Sequence, residues 1–315
     1  MTELLDHRLL FVTGKGGVGK TSVAAALGLL AAQQGKNVLI GDLDGRGDIA
    51  SAFESGPLTF EPTKVADNVH AITMDTEASM REYIKLNLKV PLVGSVGPVA
   101  AAFDFLASAA PGVREILTVG KYAHEVRVQN YDIVIVDATA SGHVIGTVAA
   151  PDALRELVRV GPILDQVAWM NDILHDHDRT GMVMVATPEE MPTTETIELR
   201  DRLENETSLG RAAVVINRVL PELFSEPEEK LFATFRANTD QLSDGCDSAA
   251  PAVEAVIEGA AFASALRRSR TQHIERLFAE FAGETVVAIP QLFVRTEGLR
   301  VTRLLATALS EELGV

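Results

Sequence analysis

Short runs of aliphatic and β-branched residues recur along the chain, and longer stretches with helical spacing fill the intervals between them. The runs are LLFV (9–12), NVLIGDLD (37–44), VHAITM (69–74), YDIVIVDA (131–138), GMVMVAT (181–187), AAVVINRV (212–219) and TVVAIP (285–290). Each reads as a β-strand. Several are apolar at every position instead of alternating, as expected of strands covered on both faces. Strands that alternate with helices predict parallel pairing through crossover helices. The expected fold class is therefore α/β, with a mostly parallel central sheet flanked by helices on both faces. Segment 91–112, PLVGSVGPVAAAFDFLASAAPG, breaks the pattern and reads either as packed core or as loop and short helix near a binding surface. The final stretch, VTRLLATALSEELGV, is weakly amphipathic and ends acidic, which predicts a packed helix. With no internal repeat and no low-complexity linker, residues 1–315 read as a single domain.

Between the first strand and the first helix lies Gly14-Lys15-Gly16-Gly17-Val18-Gly19-Lys20-Thr21, followed by Ser22. The spacing G-x-x-x-x-G-K-[ST] is that of a phosphate-binding loop, a P-loop. Its glycines let backbone N–H groups converge on phosphate oxygens, and the helix that follows adds the positive end of its dipole. Lys20 is expected to bridge the β- and γ-phosphates, and the Thr21 hydroxyl to ligate Mg²⁺. Lys15 is surplus to that task. Its own loop offers it no anion, and a desolvated ammonium without one is costly. A second protomer facing this one would supply it, with Lys15 reaching the other subunit's nucleotide as an arginine finger does.

Carboxylates complete the set. Asp42 and Asp44 leave the second strand at its carboxyl end, where open parallel sheets place their ligands. Asp44 is expected to position or activate the attacking water, and Asp42 to act as an outer partner of Mg²⁺ or of a lysine; both could instead merely cap a turn. Asp137 closes the apolar run YDIVIVD and is expected to hold Mg²⁺ directly or through water. INRVL at 216–220 has Asn217 but no acid after it, so the N-K-x-D pattern of a guanine reader is missing. The expected nucleotide is ATP, with the Asn217 amide against adenine; the plainer alternative is an asparagine that closes a strand.

Charge and cysteine content narrow the partners. Of 315 residues, 28 are Lys or Arg and 44 are Asp or Glu, a net charge of −16. Such a surface repels polyphosphate and anionic lipid, so no nucleic-acid partner is expected. The local basic stretches LRRSRTQH (266–273) and RVTRLL read as helix-surface cations balanced by acidic neighbours. The one cysteine, Cys246, can form neither an internal disulfide nor a CxxC clasp, which suits a reducing cytosol. No apolar run is long enough for an integral membrane segment, and the N-terminus does not read as a signal peptide. A cytoplasmic location is expected. His175-Asp176-His177-Asp178 could suggest a metal, but alternate residues on a helix point apart, and a solvated helix end is the simpler reading.

The P-loop with its extra lysine resembles that of the deviant Walker A ATPases, which form nucleotide-sandwich dimers. Further stretches narrow the resemblance to the arsenite-pump and tail-anchored-protein-targeting ATPases. DGRGDIASAF at 44–53 looks like their first switch, D-P-A-H-N-L-S-D-A-F. Asp137-Ala138-Thr139-Ala140-Ser141-Gly142-His143, leading to Pro151, is similar to their second, D-T-A-P-T-G-H with a later proline. ATPEEMPTTETIEL, VVINRV and AIPQLFVRTEGL follow the family's motif order, so the resemblance runs from about residue 8 to 300. It implies a P-loop NTPase with a small helical subdomain, roughly 76–128 and 150–178. It also implies nucleotide contacts from residues 14–22, Asn217 and Pro290. The implied protein is a Mg²⁺-dependent ATPase that pairs as a homodimer, or as a heterodimer with a related ATPase, and binds a protein or hydrophobic cargo.

The chain departs from the family at Gly45 and Ala140, where prolines are usual, and at Asp48, where an asparagine is usual. The zinc-clamping CxxC, the methionine-rich insert and the clustered cysteines of a metalloid site have no counterpart, so neither named cargo carries over. A partitioning or site-placement ATPase is the competing reading, because DLDGRGD resembles that class's DLDPQGN. A nucleotide-binding subunit that completes a related ATPase is the third.

Overall fold

The structure, a computed structural model, describes residues 3–43, 48–87, 112–138, 140–157, 162–238, 250–294 and 297–315. Eight strands form one sheet: β1 (Leu9–Gly14), β2 (Val38–Asp42), β3 (Thr63–Ala66), β4 (Val69–Thr73), β5 (Ile133–Asp137), β6 (Thr180–Ala186), β7 (Gly210–Val219) and β8 (Val286–Pro290). Their order is β3-β4-β2-β5-β1-β6-β7-β8. All pairs are parallel except β3–β4, an antiparallel edge hairpin. The seven strands expected from the sequence are present, with ends displaced by at most two residues. β3 was not expected. Its residues are half-exposed or exposed, so the hairpin carries no apolar run to announce it.

The described helices are α1 (Lys20–Gln33), α2 (Asp48–Ala52), α3 (Thr76–Asn87), α4 (Val113–Val128), α5 (Ser141–Leu157), α6 (Pro162–Leu174), α7 (Glu190–Glu206), α8 (Glu226–Ala237), α9 (Ala250–Glu280) and α10 (Leu299–Leu313). Segment 91–112 lies, but for Gly112, outside the described residues.

The all-apolar strands have the cause the sequence suggested. In β1, Leu10 and Val12 enter one core cluster while Leu9 and Phe11 enter the other. β2 and β5 divide in the same way: Ile40 and Ile135 face one cluster, Leu39 and Val136 the other. One face is covered by α1, α2 and α10, the opposite face by α4, α5, α6, α7 and the end of α9. Residues 23–32 of α1 are buried without a polar side, because the helix is enclosed between the sheet and α10. The C-terminal helix α10 buries Leu305, Ala306 and Leu309 there, so its apolar face belongs to the core.

On the other face α4 is anchored by a buried charge. Lys121, with its side chain 4% exposed, donates to Glu82 of α3 and to Glu125, each at 2.9 Å. Two carboxylates offset the desolvation of one ammonium and hold α4 against α3.

Candidate nucleotide site

The crevice forms where the sheet order reverses. β1 lies between β5 and β6, while the chain leaves it through α1 for β2, beyond β5. Loops at the carboxyl ends of these strands therefore diverge and leave room for a ligand. The cavity there measures about 800 Å³. Gly16, Gly17, Gly19, Lys20, Thr21 and Ser22 line its floor, with Asp42, Asp137, Asn217 and Pro290 around them.

Gly19 ends the loop with φ +95°, a left-handed backbone that glycine adopts without strain, and serves as N-cap of α1. A β-carbon there would also stand 2.5 Å from Asn217 Nδ2. This close approach has a purpose. Asn217, buried near the end of β7, donates from Nδ2 to the Val18 carbonyl at 2.8 Å. Its Oδ1 accepts from the Arg218 N–H at 2.9 Å. The asparagine thus braces the loop from across the sheet and lines the cavity beside it.

Lys20 Nζ donates to the Lys15 carbonyl at 3.4 Å and so folds back over its own loop. The Thr21 hydroxyl donates to Asp137 Oδ2 at 2.5 Å. Asp42 is paired in register with Asp137 across β2 and β5, and both are buried, at 3% and 9% exposure. Both carboxylates border the cavity. The donor set fits Mg²⁺, which takes one or two carboxylates, a hydroxyl and phosphate oxygens in preference to an all-protein cage. No cluster of three or more His, Cys, Asp or Glu able to hold a metal occurs among the described residues. His175 and His177 serve structure: His175 Nε2 lies 2.9 Å from Asp152 Oδ2, and His177 Nε2 lies 2.9 Å from the Ser208 carbonyl.

Three expected loop residues do not line the cavity. Gly14 closes β1, and Val18 is buried in the core beneath the loop. Lys15 turns away altogether, and its Nζ is ion-paired with Glu195 of α7. The premise that Lys15 lacks an anion within its own chain is therefore corrected. Asp44, with 45–47, lies outside the described residues.

The far rim was not foreseen residue by residue. Gln291, Leu292, Glu297 and the first turns of α10 form it, opposite Asp48 and Ser51 of α2. Leu299 N–H donates to Glu54 at 3.3 Å and the Thr302 hydroxyl to the Ala52 carbonyl at 2.8 Å, which ties this rim to the segment after β2. AIPQLFVRTEGL had marked the rim only as a motif. The basic stretch at 266–273 is balanced as expected, with Arg268 on Glu229 and Arg270 on Glu189.

Comparison with known proteins identifies relatives of this chain. The profile of a family described as anion-transporting ATPase matches residues 7–168 and 160–244. The ATPase BagA of Mycobacterium tuberculosis is 32% identical over 231 residues, 70% of this chain and 67% of the relative. A putative arsenical pump-driving ATPase of Halobacterium salinarum is 25% identical over 243 residues, 70% of this chain and 37% of that protein. ATPase get3 of Schizosaccharomyces japonicus is 28% identical over 181 residues, 54% of each. No helix among the described residues is long and apolar enough to cross a membrane. With a P-loop at the switch point of a mostly parallel sheet and a profile match over most of its length, this chain belongs to the anion-transporting ATPase family.

Proposed function

We propose that the chain is a Mg²⁺-dependent ATPase that works as a two-protomer switch, closing over ATP and relaxing after hydrolysis. The loop amides and Lys20 bind the phosphates, and Asn217 keeps the loop in shape beside the base, with Pro290 on the same wall. Thr21, Asp137 and Asp42 are the residues that would hold Mg²⁺, which would supply positive charge to neutralise the phosphates. Asp44 orients the attacking water and accepts its proton. Lys15 crosses to the facing protomer's nucleotide and stabilises charge that develops on the transferred phosphoryl group. Loss of the γ-phosphate then releases the segments after β2 and β5. Cargo, a protein or hydrophobic segment, sits on the helical stretches of roughly 76–128 and 150–178. The partitioning alternative would need a basic DNA-binding face or a basic amphipathic C-terminal membrane helix, and the apolar face of α10 packs on α1.

One observation carries this reading: the signature lysine stands outside its own nucleotide cavity, on a carboxylate of α7. In this account Glu195 is a holding partner that Lys15 leaves when two protomers close. The pair is about one-third exposed, with side-chain values of 31% and 28%, so it contributes no more than about 1 kcal/mol. Closing a dimer breaks two such pairs. Glu195→Gln should therefore strengthen ATP-dependent self-association by roughly 2- to 30-fold, the equivalent of about 0.4–2 kcal/mol. Sedimentation with Mg²⁺ and a non-hydrolysable ATP analogue measures it. Unchanged or weaker association in the variant would refute the holding role, and a wild-type chain that neither binds nor hydrolyses ATP would refute the function.

A further inference from the structure

β7 pairs with β8 in parallel, and the register slips once beside the cavity. Ile216 lies opposite Ala288 and Val219 opposite Pro290, so Asn217 and Arg218 together face the single residue Ile289. The extra residue makes a β-bulge, a device that re-aims side chains next to functional sites. Arg218 sits in it with φ +60°, in the left-handed region that arginine rarely adopts. Three other described non-glycine residues have positive φ, and each stands in a turn or at a helix end: Glu54, Asn68 and Gln129. Among the described residues, Arg218 alone holds that conformation within a strand.

Glycine would hold this position without strain, and the backbone alone gives no reason for an arginine. The bulge does change where its side chains point. Successive residues of a regular strand project to opposite faces, yet Asn217 and Arg218 both line the cavity. The Arg218 N–H donates to Asn217 Oδ1 at 2.9 Å, which fixes the two side by side. Arg218 is exposed, and among the described residues no hydrogen bond or ion pair holds its guanidinium. An exposed arginine is ordinary by itself. One that keeps a costly backbone conformation at the wall of a ligand cavity points to a contact with the ligand.

Its place in the sheet selects the part of the ligand it meets. Asp42 and Asp137 end β2 and β5 on one side of β1, whereas β7 and β8 lie on the other side, beyond β6. At the usual spacing of neighbouring strands, β7 is about 10 Å from β1 and about 14 Å from β5. On the nucleotide reading above, the phosphates occupy the loop after β1, which leaves the wall of Asn217, Arg218 and Pro290 for the base. We infer that Arg218 binds that base, its guanidinium stacked on the ring. A guanidinium is planar, always charged and weakly hydrated, and aromatic faces attract it. The contact adds affinity for the nucleotide and leaves the groups that act on the phosphates untouched.

The test compares wild type, Arg218→Ala and Arg218→Gly by titration with ADP and with tripolyphosphate, which has no base, and by thermal unfolding without ligand. Both variants are expected to bind ADP about 3- to 30-fold more weakly, the range for a cation on an aromatic face. Tripolyphosphate should bind all three proteins alike. Without ligand, Arg218→Gly should melt at the same or a higher temperature than wild type, because glycine holds φ +60° without strain. Unchanged ADP affinity in both variants would overturn the inference. So would an equal loss for tripolyphosphate, since the guanidinium would then serve the phosphates. If wild type binds neither probe, the nucleotide reading falls and this inference with it.

Discussion

Lys15→Ala is expected to lower ATP turnover by about 10³-fold or more, the scale at which a cation supplied across an interface acts on phosphoryl transfer. Nucleotide affinity of the isolated chain should stay within about threefold of wild type, because removing transition-state contacts alone leaves ground-state binding in place. The geometry accounts for the asymmetry. Gly16, Gly17, Gly19 and Lys20 line the cavity, whereas Lys15 Nζ lies outside it on Glu195. Folding stability should change by no more than about 1 kcal/mol, since only a partly exposed ion pair is lost. Fluorescent-nucleotide titration and steady-state hydrolysis measure the two quantities separately. If affinity fell by as much as the rate, Lys15 would be serving its own phosphates.

Asp44→Asn is the second large effect. The side chain keeps its size and loses its capacity to take a proton, so turnover should fall by about 10²- to 10⁴-fold. ATP should bind as before and stay bound, and the closed form should accumulate. The expectation follows from the position of Asp44 two residues beyond Asp42, whose carboxylate lies buried beside Asp137 at the cavity. Nucleotide retained through gel filtration, together with single-turnover hydrolysis, checks it. Loss of ATP binding in this variant would move Asp44 from the water to the metal.

The parts of this picture that were legible in the sequence share a cause. Central strands such as Ile133–Asp137 are covered on both faces, so their apolar runs announce them, and the P-loop is a local motif whose spacing is its chemistry. The C-terminal helix was legible as packed from its acidic end, although it is more amphipathic than the sequence reading held, with Leu305, Ala306 and Leu309 buried on one face. What was hidden is whatever depends on distance along the chain or on polar backbone pairing. The β3 edge hairpin pairs through backbone bonds and buries little, so composition is silent about it. Glu195 lies inside ATPEEMPTTETIEL, a stretch that stood out as a motif. Yet its pairing with Lys15, 180 residues away, follows only from placing α7 after β6, the direct neighbour of β1.

Mixing the two inactive variants tests most directly whether the lysine works across an interface. A mixed dimer of Lys15→Ala and Asp44→Asn chains holds one site with its own Asp44 and the neighbour's Lys15, and one site with neither. Equal amounts of the two should recover roughly a quarter of the wild-type rate, since random pairing makes half the dimers mixed and each has one complete site. A mixture that stays at the rate of the separate variants, with dimers present, would place Lys15 at its own nucleotide and contradict the account.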